Sequence, residues 1–208
     1  MIISLSGLIG SGKDTVADYL VTEWGFQRES FAGTLKDACS SIFGWDRGML
    51  EGKTEAARTL RDMVDPWWSK RLNMPNFTPR WVLQNFGTDC CRTHFHNDIW
   101  LASLENKLRN MQDQDVVISD SRFMNELKML SGLGATTVRV VRGENPDWWH
   151  IAQKAAISPA HAKTMGTMGI HRSEWDWAGY DFNVIMLNNG TLGELYAKTK
   201  LIVFTGRE

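Results

Sequence analysis

With 23 lysines and arginines against 24 aspartates and glutamates, a chain of 208 residues has no overall charge with which to hold a polyanion, so phosphate recognition must be local and nucleic acid is not an expected partner. The length allows one well-buried core carrying an insertion or a lid. No apolar run reaches bilayer thickness, the first strand begins where a signal peptide would stand, and three cysteines cannot build a secreted disulfide framework, so a reduced cytoplasmic protein with no membrane partner is expected.

The apolar run Met1 to Leu5 reads as a strand, and an amphipathic segment reaching Asp18-Tyr19-Leu20 reads as a helix. Between them lies Ser6-Gly7-Leu8-Ile9-Gly10-Ser11-Gly12-Lys13-Asp14-Thr15. Glycines let successive N–H groups turn toward one anion, the helix N-terminus adds partial positive charge, and Lys13 reaches further phosphate oxygens. This is a phosphate-binding loop with Asp14 after the lysine and the hydroxyl one place later, at Thr15. The spacing resembles the loop of nucleoside monophosphate kinases. A glycine turn with no nucleotide would leave the lysine unexplained.

Phe26 to Phe31 is a short second strand, followed by a helix with Leu35, Ala38, Cys39, Ile42 and Phe43 at helical spacing and Gly44 at its end. Residues 45 to 112 show no strand but three helical patterns. One starts at Thr78-Pro79 as cap and first turn and runs toward Gly87-Thr88, and another spans Asp98 to about Met111. A helical block this long is an insertion covering a site. Asp115 to Asp120 is a buried strand ending in a carboxylate, Ser121 to Leu133 a helix, Thr136 to Arg142 a strand. Gly143 to Tyr180 is a long connection of the kind that forms a lid, with glycines to hinge on. Phe182 to Leu187 is the last strand, and the capping-box spacing Thr191 to Glu194 opens a helix to about Val203. Alternation of this kind predicts a three-layer α/β fold with a parallel sheet of about five strands and the site at the strands' carboxyl ends.

Phosphoryl transfer requires cations and carboxylates gathered at the loop. Asp120, ending the strand expected beside the first, can hold Mg²⁺ with Thr15, or cap the next helix. Arg122 and Glu126 are four apart, which fits either a surface ion pair or an arginine on a phosphate with its positioning carboxylate. Lys36 and Arg80 open helices and are as readily solvated as functional. Arg139 and Arg142 sit in and after a strand and Arg172 in the lid, with Arg142 and Arg172 the better lid-side phosphate ligands. Trp100 can stack on a base or wall a sugar, and the lid tryptophans suit core packing. Cys90, Cys91, His94 and His96 lack the second ligand pair of a structural zinc site, and no Gly-x-Ser-x-Gly elbow supports a serine hydrolase.

The segments Leu5 to Gly7, Ser11 to Asp18, Ala32 to Ala38, Gly87-Thr88-Asp89, Ser119 to Arg122 with Glu126, Gly134 to Thr136, Val140 to Arg142 and Asn188 to Leu195 together resemble the bacteriophage deoxynucleoside monophosphate kinases, in order and over nearly the whole chain. The likeness is weakest over 45 to 77 and in the lid. It implies a P-loop kinase fold and transfer of the ATP γ-phosphate to a deoxynucleoside monophosphate, with ATP and Mg²⁺ required. Gly10, Ser11, Gly12, Lys13, Asp14, Thr15 and Arg142 would form the ATP site. Lys36, Arg80, Gly87, Thr88, Trp100, Asp120, Arg122 and Glu126 would form the acceptor site, with Lys13, Asp120 and Arg122 catalytic and Thr15 and Asp120 at the metal. Family members are commonly dimers, so a homodimer is compatible. The competing readings are a P-loop kinase for another small acceptor, such as dephospho-coenzyme A, and a nucleotide-sensing module without turnover.

Overall fold

The computed structural model describes residues 1 to 206, in two compact units: Met1–Ser30 with the chain from Lys107 onward, and Phe31–Asn106.

The first unit is built on five parallel strands, β1 (Ile2–Ser6), β2 (Gln27–Glu29), β3 (Val116–Ile118), β4 (Thr136–Val141) and β5 (Val184–Leu187), in the order β2-β3-β1-β4-β5. Strand β1 explains the layering. Its alternation sends Ile3 and Leu5 into a core with Val16, Ala17 and Leu20 of α1 (Lys13–Trp24) and Leu195, Ile202 and Val203 of the last helix, Leu192–Thr205. Ser4 and Ser6, equally buried, point to the other face. There the Ser4 hydroxyl meets that of Ser121 at 2.9 Å and the Ser6 hydroxyl donates to the Ser121 carbonyl at 3.0 Å. Two small polar residues in an otherwise apolar strand thus hold the segment that leaves β3. The capping box at Thr191 and Glu194 is present, and Tyr19 stacks on Tyr196 at 4.1 Å between centroids.

The connection from Gly143 to Tyr180 carries helices Trp149–Ala155 and Pro159–Thr167 and a 3₁₀ turn, Arg172–Glu174. Its tryptophans are core, as expected: Trp149, Trp175 and Trp177 pack with Met165 and Ala152 against Leu127. Arg139 lies beneath them, 8% exposed, its guanidinium 3.8 Å from the Trp149 ring centroid and donating to Asn145. Burial pushes its pKa down to about 10. A planar cation with apolar faces fits between rings in a way that an ammonium does not.

The second unit holds α2 (Gly33–Phe43), α3 (Arg47–Glu51), α4 (Glu55–Asp62), α5 (Pro66–Leu72), α6 (Pro79–Gln84), a π-helical stretch (Asn85–Arg92) and the start of α7 (Ile99–Arg109). The three helical patterns expected over 45 to 112 are therefore more numerous and shorter. They are legible by their caps: Asp46, Thr54, Asp65 and Thr78 accept from the N–H of Met49, Ala57, Trp68 and Trp81. An aromatic core of Phe43, Trp45, Trp68 and Phe77 holds them, and two indoles find acceptors, Trp45 on Asp65 at 2.8 Å and Trp68 on the Phe43 carbonyl at 3.1 Å.

Two measurements check this packing. Burial pushes the Cys39 thiol up to about 11, while Cys90 is exposed. Iodoacetamide at pH 8 should therefore modify Cys90 and spare Cys39 until denaturant is added, as read by mass spectrometry. Arg139→Lys loses the stacked plane while keeping a charge, and should lower unfolding free energy by roughly 1 to 2 kcal/mol in a denaturant titration.

Candidate active site

The glycine loop follows β1 directly. Gly10 and Gly12 adopt left-handed φ of 80° and 98°, and Gly12 stands at the N-cap position of α1. A Cβ at Gly7 would lie 2.5 Å from the Val140 carbonyl, and one at Gly12 2.4 Å from Nδ2 of Asn188, so neighbouring strand ends define the loop from outside. Asn188, just beyond β5, donates from Nδ2 to the Ser11 carbonyl at 2.9 Å while its own N–H bonds to Val141 at 2.7 Å. The Ser11 hydroxyl is buried and has no protein partner. Lys13 is 8% exposed, its ammonium 3.9 Å from Asp14 Oδ2. Burial pushes the Lys13 pKa down, Asp14 and Glu174 oppose this, and Arg122 and Arg28 add to it. An unpartnered hydroxyl, a desolvated cation and glycines in left-handed conformations make a cradle suited to phosphate.

Asp14 is committed to protein contacts. Arg28 donates from Nη2 to Asp14 Oδ1 at 2.5 Å and to Ser119 Oγ at 2.7 Å, and from Nη1 to Asp18 Oδ1 at 2.6 Å. The residue that departs from the usual loop pattern therefore ties the start of α1 to β2 and to the end of β3.

Asp120 is half-buried at the carboxyl end of β3. It does not cap the following helix: α8 (Met124–Gly132) starts later, with Phe123 in the cap position, because the Ser4 and Ser6 hydroxyls hold Ser121 against β1. Glu126, 6% exposed, accepts from the backbone N–H of Arg122 at 2.7 Å and of Phe123 at 3.1 Å. It satisfies donors that α8 leaves open, and so fixes the backbone from which Arg122 projects. The Arg122 guanidinium bonds to Glu174 Oε1 at 2.8 Å. Asp176, two residues on, accepts from Met124 N–H at 2.9 Å and from Arg172 Nε at 2.7 Å. Arg172 is thus ion-paired within its own turn, and Arg142 is exposed after β4.

Within the second unit the expected acceptor residues are placed as follows. The Lys36 ammonium bonds to Glu51 Oε2 at 2.8 Å, and Glu51 also takes Arg47 at 2.5 Å. Arg80 forms a two-point ion pair with Asp62. Arg61 lies nearby in the field of Arg80 and Arg58, its pKa lowered first by burial and then by those cations. Trp100 is 8% exposed and donates from its indole N–H to the Gly87 carbonyl at 2.9 Å, so it walls the unit rather than offering an open face. Gly87 does not end a helix: the chain continues through the π stretch, with Gly87 packed so that a Cβ would stand 2.7 Å from Leu35 Cδ2. Thr88 is exposed beside it. Among the described residues no cluster of three histidine, cysteine or carboxylate side chains suits a metal ion, and His96 Nδ1 instead accepts from Asp98 N–H at 3.1 Å.

Sequence reasoning missed Asn188, Arg28 and Glu174. Each acts across a large separation in the chain, and Asn188 alone had a local signal, a polar residue closing the last strand.

Gly12→Ala carries two separable faults, a contact with Asn188 and a strained φ. Affinity for a nucleoside diphosphate should fall by about tenfold or more in calorimetry. Adding Asn188→Ala should not restore it, because the backbone strain remains.

The deoxynucleotide monophosphate kinase family model matches residues 51–199. A protein of Acanthamoeba polyphaga mimivirus carrying a deoxynucleotide monophosphate kinase name is 28% identical over 95% of this chain and 93% of its own length. The deoxynucleoside-5'-monophosphate kinase of Escherichia phage T5 is 28% identical over 62% of this chain and 71% of its own. Among solved structures, the dephospho-CoA kinase of Campylobacter jejuni aligns over 98% of this chain and 95% of its own at 15% identity with a TM-score of 0.46. By the extent of the family match, the chain is a member of the deoxynucleotide monophosphate kinase family.

Proposed function

We propose that the protein transfers the γ-phosphoryl group of ATP to the 5′-phosphate of a deoxynucleoside monophosphate, giving the diphosphate and ADP. The observation that carries this is the desolvated Lys13 ammonium in a glycine cradle, within the electrostatic reach of the Arg122 guanidinium. Two cations that repel each other gain most when a polyphosphate comes between them.

In this reading the loop from Gly10 to Thr15 binds the donor's phosphates, Lys13 spans the outer ones, and the Ser11 hydroxyl donates to a phosphate oxygen. Thr15 and Asp120 are the groups to hold Mg²⁺, which takes one or two protein oxygens and completes its shell with phosphates and water. The metal supplies charge neutralisation when bound. Arg122, fixed through Glu126, orients the acceptor phosphate. Arg142 serves the donor from the lid side, and the second unit, with Lys36, Arg80, Gly87, Thr88 and Trp100, receives the nucleoside.

The bond from the γ-phosphorus to the β-bridging oxygen breaks and its electron pair stays with ADP, while a phosphate oxygen of the acceptor forms the new bond. A phosphomonoester has a second pKa near about 6, so that oxygen carries no proton at neutral pH and no general base is required. Lys13 and Arg122 offset the repulsion between two polyanions and the charge spread over the transferring group.

Lys13→Ala and Arg122→Ala should each reduce turnover by roughly a thousandfold, the order seen when one preorganised charge is removed from a transition state, with little change in Tm. Product formation across deoxy- and ribonucleoside monophosphates with ATP and Mg²⁺ provides the assay. Full turnover in either folded variant overturns its role, and ADP formation that depends on no nucleoside monophosphate overturns the acceptor class.

A further inference from the structure

The charge around Arg122 contains a carboxylate that the transfer reaction does not need. Glu174 sits in the turn Arg172–Glu174, within the long connection between β4 and β5, and bonds to Arg122 Nη1 at 2.8 Å. It is the member of the turn directed at a proposed phosphate ligand. Asp176 docks the same turn independently, on the N-terminal amide of α8 and on Arg172. Trp177 anchors the turn again through its indole N–H on the Ser173 carbonyl at 3.2 Å. The turn therefore has attachments of its own, and the contact between Glu174 and Arg122 is surplus to holding it in place.

We propose that Glu174 is a phosphate surrogate: in the nucleotide-free protein its carboxylate takes the place of a substrate phosphate on Arg122, and an arriving phosphate must displace it. The proposal rests on the reading of Arg122 as a phosphate ligand given above. A carboxylate and a phosphate offer the same pair of acceptor oxygens to a guanidinium, so the exchange keeps the arginine hydrogen-bonded at every stage. Lys13 supports the same picture, since Glu174 counters and Arg122 reinforces the depression of its pKa. The surrogate holds Arg122 near the loop before substrate arrives and restrains a pair of cations that would otherwise repel. Its cost is competition, because any phosphate ligand of Arg122 binds against the Glu174 ion pair. Once displaced, Glu174 faces a region that has gained negative charge, which favours movement of its side chain away from the phosphate.

Glu174→Gln tests the idea with inorganic pyrophosphate as the probe, which presents phosphate oxygens without a base or sugar. Titration calorimetry should show pyrophosphate binding about five- to tenfold tighter to the variant than to the parent, since a carboxamide is the weaker competitor for a guanidinium. Asp176→Asn is the comparison: it loosens the docked turn and leaves the Glu174 carboxylate intact, so it should not tighten pyrophosphate. Equal or weaker binding by a folded Glu174→Gln protein overturns the proposal, as does equal tightening by Asp176→Asn, which would assign the effect to docking alone. Tighter pyrophosphate binding in a protein that phosphorylates no nucleoside monophosphate would sustain the surrogate and reject the kinase reading, so the two failures are distinct.

Discussion

Holding a desolvated ammonium and a guanidinium near the same opening of a parallel sheet is unfavourable until an anion joins them. That constraint governs the first unit. Lys13 is fixed by α1, Arg122 by the turn ahead of α8, and each is held by groups that do not themselves bind phosphate: Asn188 behind the loop, Glu126 behind the arginine. The field they create is local, as a chain of nearly balanced charge requires. The carboxylates nearby, Asp14 and Glu174, lessen the repulsion without cancelling it.

The strand that makes this possible is β1, which has two different jobs on its two faces. Ile3 and Leu5 join the core shared with α1, and Ser4 and Ser6 secure the backbone at Ser121. Since β3 and β4 flank β1, the segments that follow all three strands emerge on one end of the sheet. Connections that leave a parallel sheet at its carboxyl ends on either side of a switch in strand order form a natural crevice for a ligand. The Asp14 substitution fits the same economy. By engaging Arg28 it links α1 to β2, so a position that usually faces the metal has become part of the frame.

Most of this framework was legible in the residues. The five strands, the glycine loop and the capping box at Thr191 follow from short-range patterns of apolar spacing and turn chemistry, and the family assignment agrees with the resemblance carried by the loop and by Ser119 to Arg122. Local patterns failed where the cause was distant. Glu126 reads as an i, i+4 partner of Arg122, yet it bonds to the backbone because α8 starts late, and it starts late because of serines in β1, more than a hundred positions away. The helices of the second unit are too short for periodicity to resolve, although four capping side chains mark them. The abundance of tryptophan, unexplained by composition, becomes ordinary once indoles are seen filling two separate cores.

The π-helical stretch from Asn85 to Arg92 bears on how this chain is compared with its relatives. Such a stretch amounts to an α-helix with a residue inserted, and one added residue turns everything downstream by about 100° around the axis. The Gly87 carbonyl is left for the Trp100 indole to claim. A relative that keeps a plain helix here must lack one residue between those limits, and an ungapped pairing of the two chains would then equate Cys91 with a residue on the wrong side of the helix.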